Sequence, residues 1–256
     1  MIELSVNLNK IALLRNSRGG DKPSVLEAAE IAINAGAYGI TVHPRPDRRH
    51  VRPHDVTDLA SMLRTRHRDV EFNIEGNPFA GARANGYPGF DALIESARPD
   101  QCTLVPDDDN QLTSDHGWDL NRDTARLVES IRRYRALGAR VSLFMDPDLQ
   151  QIDRAAAIGV ERIELYTGPF AEAVRAHGVD GAAAQSSFET FARAARHATA
   201  IGLGVNAGHD LDLVNLPLFS RITEVLEVSI GHALIGDALR IGLAAAVGAY
   251  LEVLRR

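Results

Sequence analysis

Four short apolar runs in the chain each deliver a side chain able to move a proton. GITVHPR (39–45) delivers His43, VEFNIEG (70–76) Glu75, GLGVNAGHD (202–210) His209 and VLEVSIGH (225–232) His232. Imidazole titrates near neutral pH, and a carboxyl at the end of a buried run is pushed toward the same range by loss of solvent. Groups of this kind suit abstraction and return of protons during bond rearrangement. Each run is long enough for one buried strand. In a parallel α/β protein the C-terminal strand ends are where active sites assemble.

The neighbours of these groups narrow the chemistry. His43 leads HPRPDRRH (43–50), in which Pro44 and Pro46 stiffen a strongly basic loop. Arg45 and His50 suit a phosphate or carboxylate, where a guanidinium makes two parallel hydrogen bonds. Arg48 and Arg49 read as a solvated basic turn. Glu75 reads either as a proton acceptor or as one half of an ion pair with a neighbouring strand; Glu71, at the start of the same run, belongs to the opposite, stabilising end of a barrel. Ala207 and Gly208 before His209 permit close approach of a ligand. Gly231 and His232 open a final turn of the kind that holds phosphate on backbone N–H groups at a helix N-terminus. Three His and a Glu can also bind a divalent cation. However, no H-x-H or H-x-x-x-H spacing occurs at the strand ends, and carboxylates are not clustered there.

The elements that must position these groups alternate along the chain. Strands are expected at 2–8, 39–43, 70–76, 101–106, 139–147, 162–168, 203–209 and 226–232, from short β-rich runs. Helices are expected at 23–36, 54–68, 90–97, 121–138, 147–159, 186–202 and 233–256, from the longer Ala/Leu/Arg-rich stretches. The segment LLRNSRGGDKP (13–23) reads as a loop after the first strand, and DDDNQLTSDHGWDL (107–120) as a loop too polar to be packed and too long for a simple connector. Eight strands alternating with helices, without a linker or composition break, predict an α/β fold: a single (β/α)8 TIM barrel, one domain over 1–256. A doubly wound sheet would carry a Gly-rich phosphate loop after its first strand, and VNLNK (6–10) is not one.

Composition excludes other classes. The chain has 256 residues, 45% of them hydrophobic, enough for a sizeable core. Its net charge of −6 argues against nucleic acid or an anionic membrane as partner. A local Arg cluster still outweighs that charge at short range, so anionic small molecules remain open. The lone Cys102, inside an apolar run, forms no internal disulfide, reads as inert packing and points to a reducing compartment. The N-terminal MIELSVNLNK has no basic segment leading into a long apolar one, and no run approaches the roughly 20 residues needed to span a bilayer. A soluble, cytoplasmic protein is expected.

Seven segments, in order over nearly the whole chain, resemble the pyridoxine 5′-phosphate synthase family of vitamin B6 biosynthesis. They are VNLNKIALLRNSRGG (6–20), GITVHPRPDRRHV (39–51), FNIEG (72–76), TLVP (103–106), VSLFMDPD (141–148), VNAGHDL (205–211) and IGHALIGDAL (230–239). The resemblance implies a TIM barrel with additional helices for subunit contacts, assembled as a homo-octamer (a tetramer of dimers). It implies condensation of 3-amino-2-oxopropyl phosphate with 1-deoxy-D-xylulose 5-phosphate to pyridoxine 5′-phosphate, phosphate and water, without metal or organic cofactor. By the same resemblance, His43 and Glu75 are proton acceptors and His209 is the proton donor. Asn7, Arg18, Asp210, Gly231 and His232 would hold the amino-oxopropyl phosphate. Arg45, His50 and Thr113 would hold the deoxyxylulose phosphate, with the long loop carrying Thr113 closing over both.

Two positions depart from the family pattern. Many members carry Asp-His after the first strand, where this chain has Asn9-Lys10, replacing an acceptor and an imidazole by a neutral amide and a permanent cation. These two residues are counted with the substrate-binding set, Lys10 toward a phosphate or carbonyl oxygen. Asp210 stands where Gly is common and adds a negative charge beside an anion site. The rival readings are a metal-dependent aldolase or isomerase acting on a sugar phosphate, and a non-catalytic sensor that keeps the phosphate grip.

Overall fold

The computed structural model describes residues 1–255. Eight strands form one closed parallel barrel in sequence order. They are β1 (Glu3–Asn7), β2 (Gly39–Val42), β3 (Glu71–Gly76), β4 (Gln101–Leu104), β5 (Arg140–Met145), β6 (Arg162–Tyr166), β7 (Gly204–Gly208) and β8 (Val225–Ile230). β8 closes onto β1 with Val6 opposite Ile230. The expected TIM barrel is therefore the fold.

Each strand alternates in character. Leu4, Ile40, Ile74, Cys102, Val141, Ile163, Val205 and Val228 are fully buried in the hydrophobic core. Burying one Leu or Ile in this way stabilises the fold by roughly 1.5–3 kcal/mol. The intervening residues are polar and equally buried, and they bond to one another across the strands. Ser5 Oγ lies 2.7 Å from Thr41 Oγ1, Asn73 donates to Thr41, and Thr103 donates to Asn73 at 3.1 Å. A lower tier joins Arg140 to Glu71 and Gln101, and Arg162 to Glu227 and Asn206. Burial, reinforced by Glu71, pushes the Glu227 carboxyl up to about 8. The barrel interior is thus a hydrogen-bonded polar column, where bulky branched side chains are the usual filling. Glu71 stands at the N-terminal end, as the sequence predicts.

The helices follow the expected order, with four differences. α1 (Asn9–Asn16) takes up residues 13–16, the start of the supposed loop at 13–23, together with the four residues before it. Its Arg15 is buried and grips Asp55 with two bonds, at 2.5 and 2.9 Å. α2 (Val25–Asn34) follows, capped by Ser24, and α3 (Pro53–Arg66) begins with Asp55 accepting from the Arg52 N–H. α4 (Phe90–Ala97), α5 (Ala125–Ala136) and α6 (Leu149–Ala157) fall where periodicity puts them. α7 (Gly168–His177) and the short α9 (Leu216–Phe219) flank the expected long α8 (Ala182–Ala200) and have no counterpart in the sequence reading. The C-terminal helix is two, α10 (His232–Ile241) and α11 (Leu243–Leu254), because Gly242 at φ 86° breaks it. Cys102 is buried, and burial pushes its thiol up, away from the reactive thiolate. Among the described residues no helix is long and apolar enough to cross a membrane.

Candidate active site

The C-terminal ends of β1, β2, β3, β7 and β8 bring Asn7, His43, Glu75, His209 and Gly231 to the same rim of the barrel. Glu75 is buried at the end of β3. Asn7 Nδ2 donates to Glu75 Oε2 at 3.3 Å, and Ser229 Oγ to Oε1 at 3.5 Å. Burial first and the nearby Asp107 second push its carboxyl up to about 7, against the lowering effect of those two donors. His43 Nδ1 lies 3.8 Å from Glu75 Oε2. Burial, with Arg45 and Arg49 beside it, pushes this imidazole down to about 3. At neutral pH the pair is a neutral imidazole beside a half-protonated carboxyl, and the ion pair considered for Glu75 is not formed with it.

Two amides fix this corner. Asn9 accepts from the His43 backbone N–H at 2.8 Å, and its own N–H donates to Asn7 Oδ1 at 3.0 Å. The side-chain oxygen of Asn9 is therefore engaged in holding the strand ends together. The side chain of Lys10, the second residue of α1, makes no hydrogen bond or ion pair among the described residues, and its charge bears on His50. His50 is buried, accepts from the Val51 N–H through Nδ1 at 2.9 Å, and stands edge-on to His43 at 6.3 Å between ring centroids. Burial first, then His43 and the surrounding cations, keep His50 neutral well below the usual range.

The basic loop is more than a solvated turn. Arg45 is buried and donates to Asp107 Oδ2, to the Asp108 carbonyl at 3.0 Å and to the Gln111 carbonyl at 2.9 Å. Arg49 donates to the Gln111 and Leu112 carbonyls at 2.9 and 2.7 Å, and Arg48 to the Asn85 carbonyl. The solvated reading of Arg48 and Arg49 is thus corrected: a planar fork of donors matches loop carbonyls, and the two side chains clamp neighbouring loops. The 107–120 loop is likewise partly packed, with Asp107, Ser114 and Leu120 buried and Trp118 Nε1 donating to the Leu104 carbonyl at 2.8 Å.

The clamped loop reaches the opposite side of the rim. Thr113 Oγ1 lies 2.8 Å from His209 Nε2, and the His209 ring meets Tyr166 edge-on at 5.2 Å. His209 and Asp210 both hold positive φ, 83° and 59°. Thr167 anchors this strained turn on the Gly208 and His209 carbonyls, and Asn215 on that of Asp210. His209 Nδ1 lies 3.0 Å from Asp210 Oδ2, within ion-pair range but outside hydrogen-bond geometry. A Cβ at Gly208 would meet Glu164 Oε1 at 2.2 Å, so a side chain there would displace that buried carboxyl.

Gly231 caps α10 so close to β1 that a Cβ there would meet Asn7 Cβ at 3.0 Å. This leaves the α10 N-terminus open beside Asn7, with His232 exposed as its first residue. Arg18 is exposed beyond α1, and among the described residues its side chain makes no hydrogen bond or ion pair and is not joined to the other candidates. Asp107, Ser229, Glu164 and Tyr166 are the rim and interior residues that sequence reading missed. Asp107 follows directly on the apolar TLVP run, so the strand-end rule that picked Glu75 picks it as well. A cavity of about 370 Å³ opens against His43, Arg45, Asn77, Phe79, Tyr87 and Asp107.

The family described as "Pyridoxal phosphate biosynthesis protein PdxJ" matches residues 4–256. The chain belongs to the PdxJ family. A relative named pyridoxine 5′-phosphate synthase, from Xanthomonas oryzae pv. oryzae (strain PXO99A), is 58% identical over 254 residues, 99% of this chain and 96% of that protein. One of the same name from Xylella fastidiosa (strain 9a5c) is 54% identical, covering 98% of this chain and 94% of its own length. Among solved structures, a mutant tryptophan synthase α-subunit from Pyrococcus furiosus covers 99% of this chain and 96% of its own at a TM-score of 0.62 and 14% identity. The Amycolatopsis orientalis BexX/CysO complex gives 0.59 at 17% identity, covering 99% of this chain and 90% of that one. Those two likenesses concern the barrel alone. Among the described residues no three His, Cys, Asp or Glu side chains group as a shared metal ion requires.

Proposed function

We propose that this PdxJ-family chain is a pyridoxine 5′-phosphate synthase, condensing 3-amino-2-oxopropyl phosphate with 1-deoxy-D-xylulose 5-phosphate to pyridoxine 5′-phosphate, phosphate and water. The observation that carries the reading is the Glu75–His43 pair. One group is a carboxyl near half-protonation at pH 7, the other a neutral imidazole 3.8 Å away, both at the barrel's catalytic rim. Making a pyridine ring from an amine and two carbonyl compounds needs an imine, a carbon–carbon bond and eliminations, each with a proton transfer. A half-protonated acid both takes and returns protons without a large driving-force penalty. His43 and Glu75 act as acceptors. His209, across the rim and bonded through Nε2 to Thr113, acts as donor to the leaving oxygen.

The phosphate of the amino-oxopropyl substrate sits on the open N-terminus of α10, at Gly231 and His232, with Asn7 alongside and Arg18 and Asp210 as further contacts. Backbone N–H groups and the positive helix end favour an anion there. The deoxyxylulose phosphate takes Lys10, Asn9, His50, Arg45 and Thr113. Of these, Lys10 is a cation whose side chain has no partner among the described residues, whereas Arg45 must share its donors with the loop. Neither substrate requires a metal or organic cofactor. The chain works as one domain, in the cytoplasm, as a homo-octamer. Exposed Leu13 and Leu14 on α1 and Leu239 and Ile241 on α10 support apolar contacts between copies.

The test is a two-substrate assay on the purified protein, following phosphate release and the ultraviolet absorbance of the new pyridine ring. Stoichiometric appearance of both is expected without added metal and in the presence of a chelator. Absence of both products from a folded protein, or activity only with a divalent cation, rejects the reading.

A further inference from the structure

Two carboxylates, not one, face His43. Its Nδ1 looks at Glu75, and its Nε2 lies 3.9 Å from Asp107 Oδ2. Asp107 is buried at the end of the TLVP run, and none of the roles assigned above uses it. Its Oδ2 accepts from Arg45 and, at 2.8 Å, from Ser114 Oγ in the long loop after β4. Its backbone carbonyl accepts from Asn77 Nδ2 at 2.7 Å. Its second oxygen, Oδ1, is buried and has no hydrogen-bond partner. A buried oxygen without a donor is costly, so the Asp107 carboxyl is not saturated by Arg45 and Ser114 and keeps capacity for a further donor, while its Oδ2 is the atom that faces His43.

We propose that Asp107 is a positioning residue that couples seating of the 107–120 loop to proton uptake by His43. A neutral imidazole carries one N–H; once His43 takes a proton it carries two, pointing at Glu75 and Asp107. Each separation becomes a charge-assisted hydrogen bond when its own carboxylate approaches the ring by about 1 Å. The loop enters through Ser114, whose neighbour Thr113 bonds His209. Seating the loop therefore fixes Asp107 against His43 and Thr113 against His209 in one movement. The charges facing Asp107 are Arg45 and Arg49 from the loop after β2, His43 from the end of β2 and Glu75 from the end of β3, with Asp108 beside it on its own segment. Asp107 acts on Glu75 against the Ser229 and Asn7 donors and, second to burial, holds a proton on that carboxyl toward neutral pH.

The inference rests on the synthase reading, and one readout is independent of it. Asp107→Asn removes the charge and keeps the shape. Carboxyl-carbon NMR of glutamate-labelled protein is expected to show Glu75 titrating lower in the variant than in the parent, whether or not either protein turns over. In the assay, kcat is expected to fall by roughly a hundredfold with the acid limb of the pH profile moved the same way. The KM values should change far less. Asp107→Glu should restore the titration and part of kcat. Ser114→Ala should leave the Glu75 titration in place and raise KM, because it loosens the loop without touching the charge. An unmoved Glu75 titration in Asp107→Asn overturns the proposal. Should that variant not fold, wild-type KM values in Ser114→Ala, or loss of the raised titration in Asp107→Glu, overturn it instead. A parent protein that makes no product, with the titration shift intact, counts against the synthase reading alone.

Discussion

Glu75 Oε2 and His43 Nδ1 lie 3.8 Å apart, both buried, with the carboxyl pushed up to about 7 and the imidazole down to about 3. Their ordinary order of basicity is inverted. Burial is the first cause on each side, because it penalises whichever form is charged: carboxylate for one, imidazolium for the other. Glu75 is consequently the stronger proton acceptor of the two at neutral pH.

The pH dependence of kcat/KM should therefore have its acid limb near pH 7. A Glu75 carboxylate is needed to accept a proton, so activity rises as pH passes through that value. In Glu75→Gln turnover should drop by roughly 10²- to 10⁴-fold with no such limb remaining. A Gln variant that keeps the same limb would assign it to another group.

The same substitution should stabilise the fold at alkaline pH. Glu75 is pushed from an ordinary 4.5 up to about 7, so the folded state holds its proton more tightly than the unfolded one. The wild-type fold thus loses stability as pH rises from the lower value to the higher, by on the order of 3 kcal/mol. Glu75→Gln has no proton to lose. Denaturant unfolding should show the variant more stable than the parent at pH 8 and the two nearly equal at pH 4. Equal stability at both would mean the carboxylate is well solvated.

Thr113 should matter through His209. Thr113→Val removes the 2.8 Å bond to Nε2 while keeping the volume of the side chain. A neutral hydrogen bond of this kind contributes about 1 kcal/mol, so kcat/KM should fall by roughly fivefold to tenfold. No loss of kcat/KM would show that the loop does not orient the ring during turnover.

Lys10→His tests the departure at the end of β1. A permanent cation, unpaired among the described residues, becomes an imidazole that is largely neutral at pH 8. KM for deoxyxylulose phosphate is expected to rise at that pH, and its dependence on salt to weaken. KM for the amino-oxopropyl phosphate should hold steady. Unchanged affinity for the deoxyxylulose phosphate removes Lys10 from its site.

The order of the barrel strands was legible in the chain because each strand is a local pattern bounded by turn residues, and His43, Glu75 and His209 were legible because they sit at the ends of such patterns. Four helical elements were not so clear. α1 hides in VNLNKIALLRN, whose Arg15 looks like a loop cation until Asp55, 40 residues on, buries it. α7 and the four-residue α9 carry a proline in their own first turn, where it reads as a breaker, and the break at Gly242 interrupts a largely apolar stretch.

What the sequence by itself determined was which group stands at which strand end. What only the tertiary structure decided was the electrostatic state of those groups and their partners. Asn7 meets Glu75 across 68 positions, Arg45 meets Asp107 across 62, and Thr113 meets His209 across 96. Side-chain pKa values depend on burial and on charges a few ångströms away, and closure of the barrel creates both at once. Whether Arg45 is free for a phosphate, whether His43 is neutral and whether Asp107 belongs to the site are therefore properties of the closed barrel, not of any one segment.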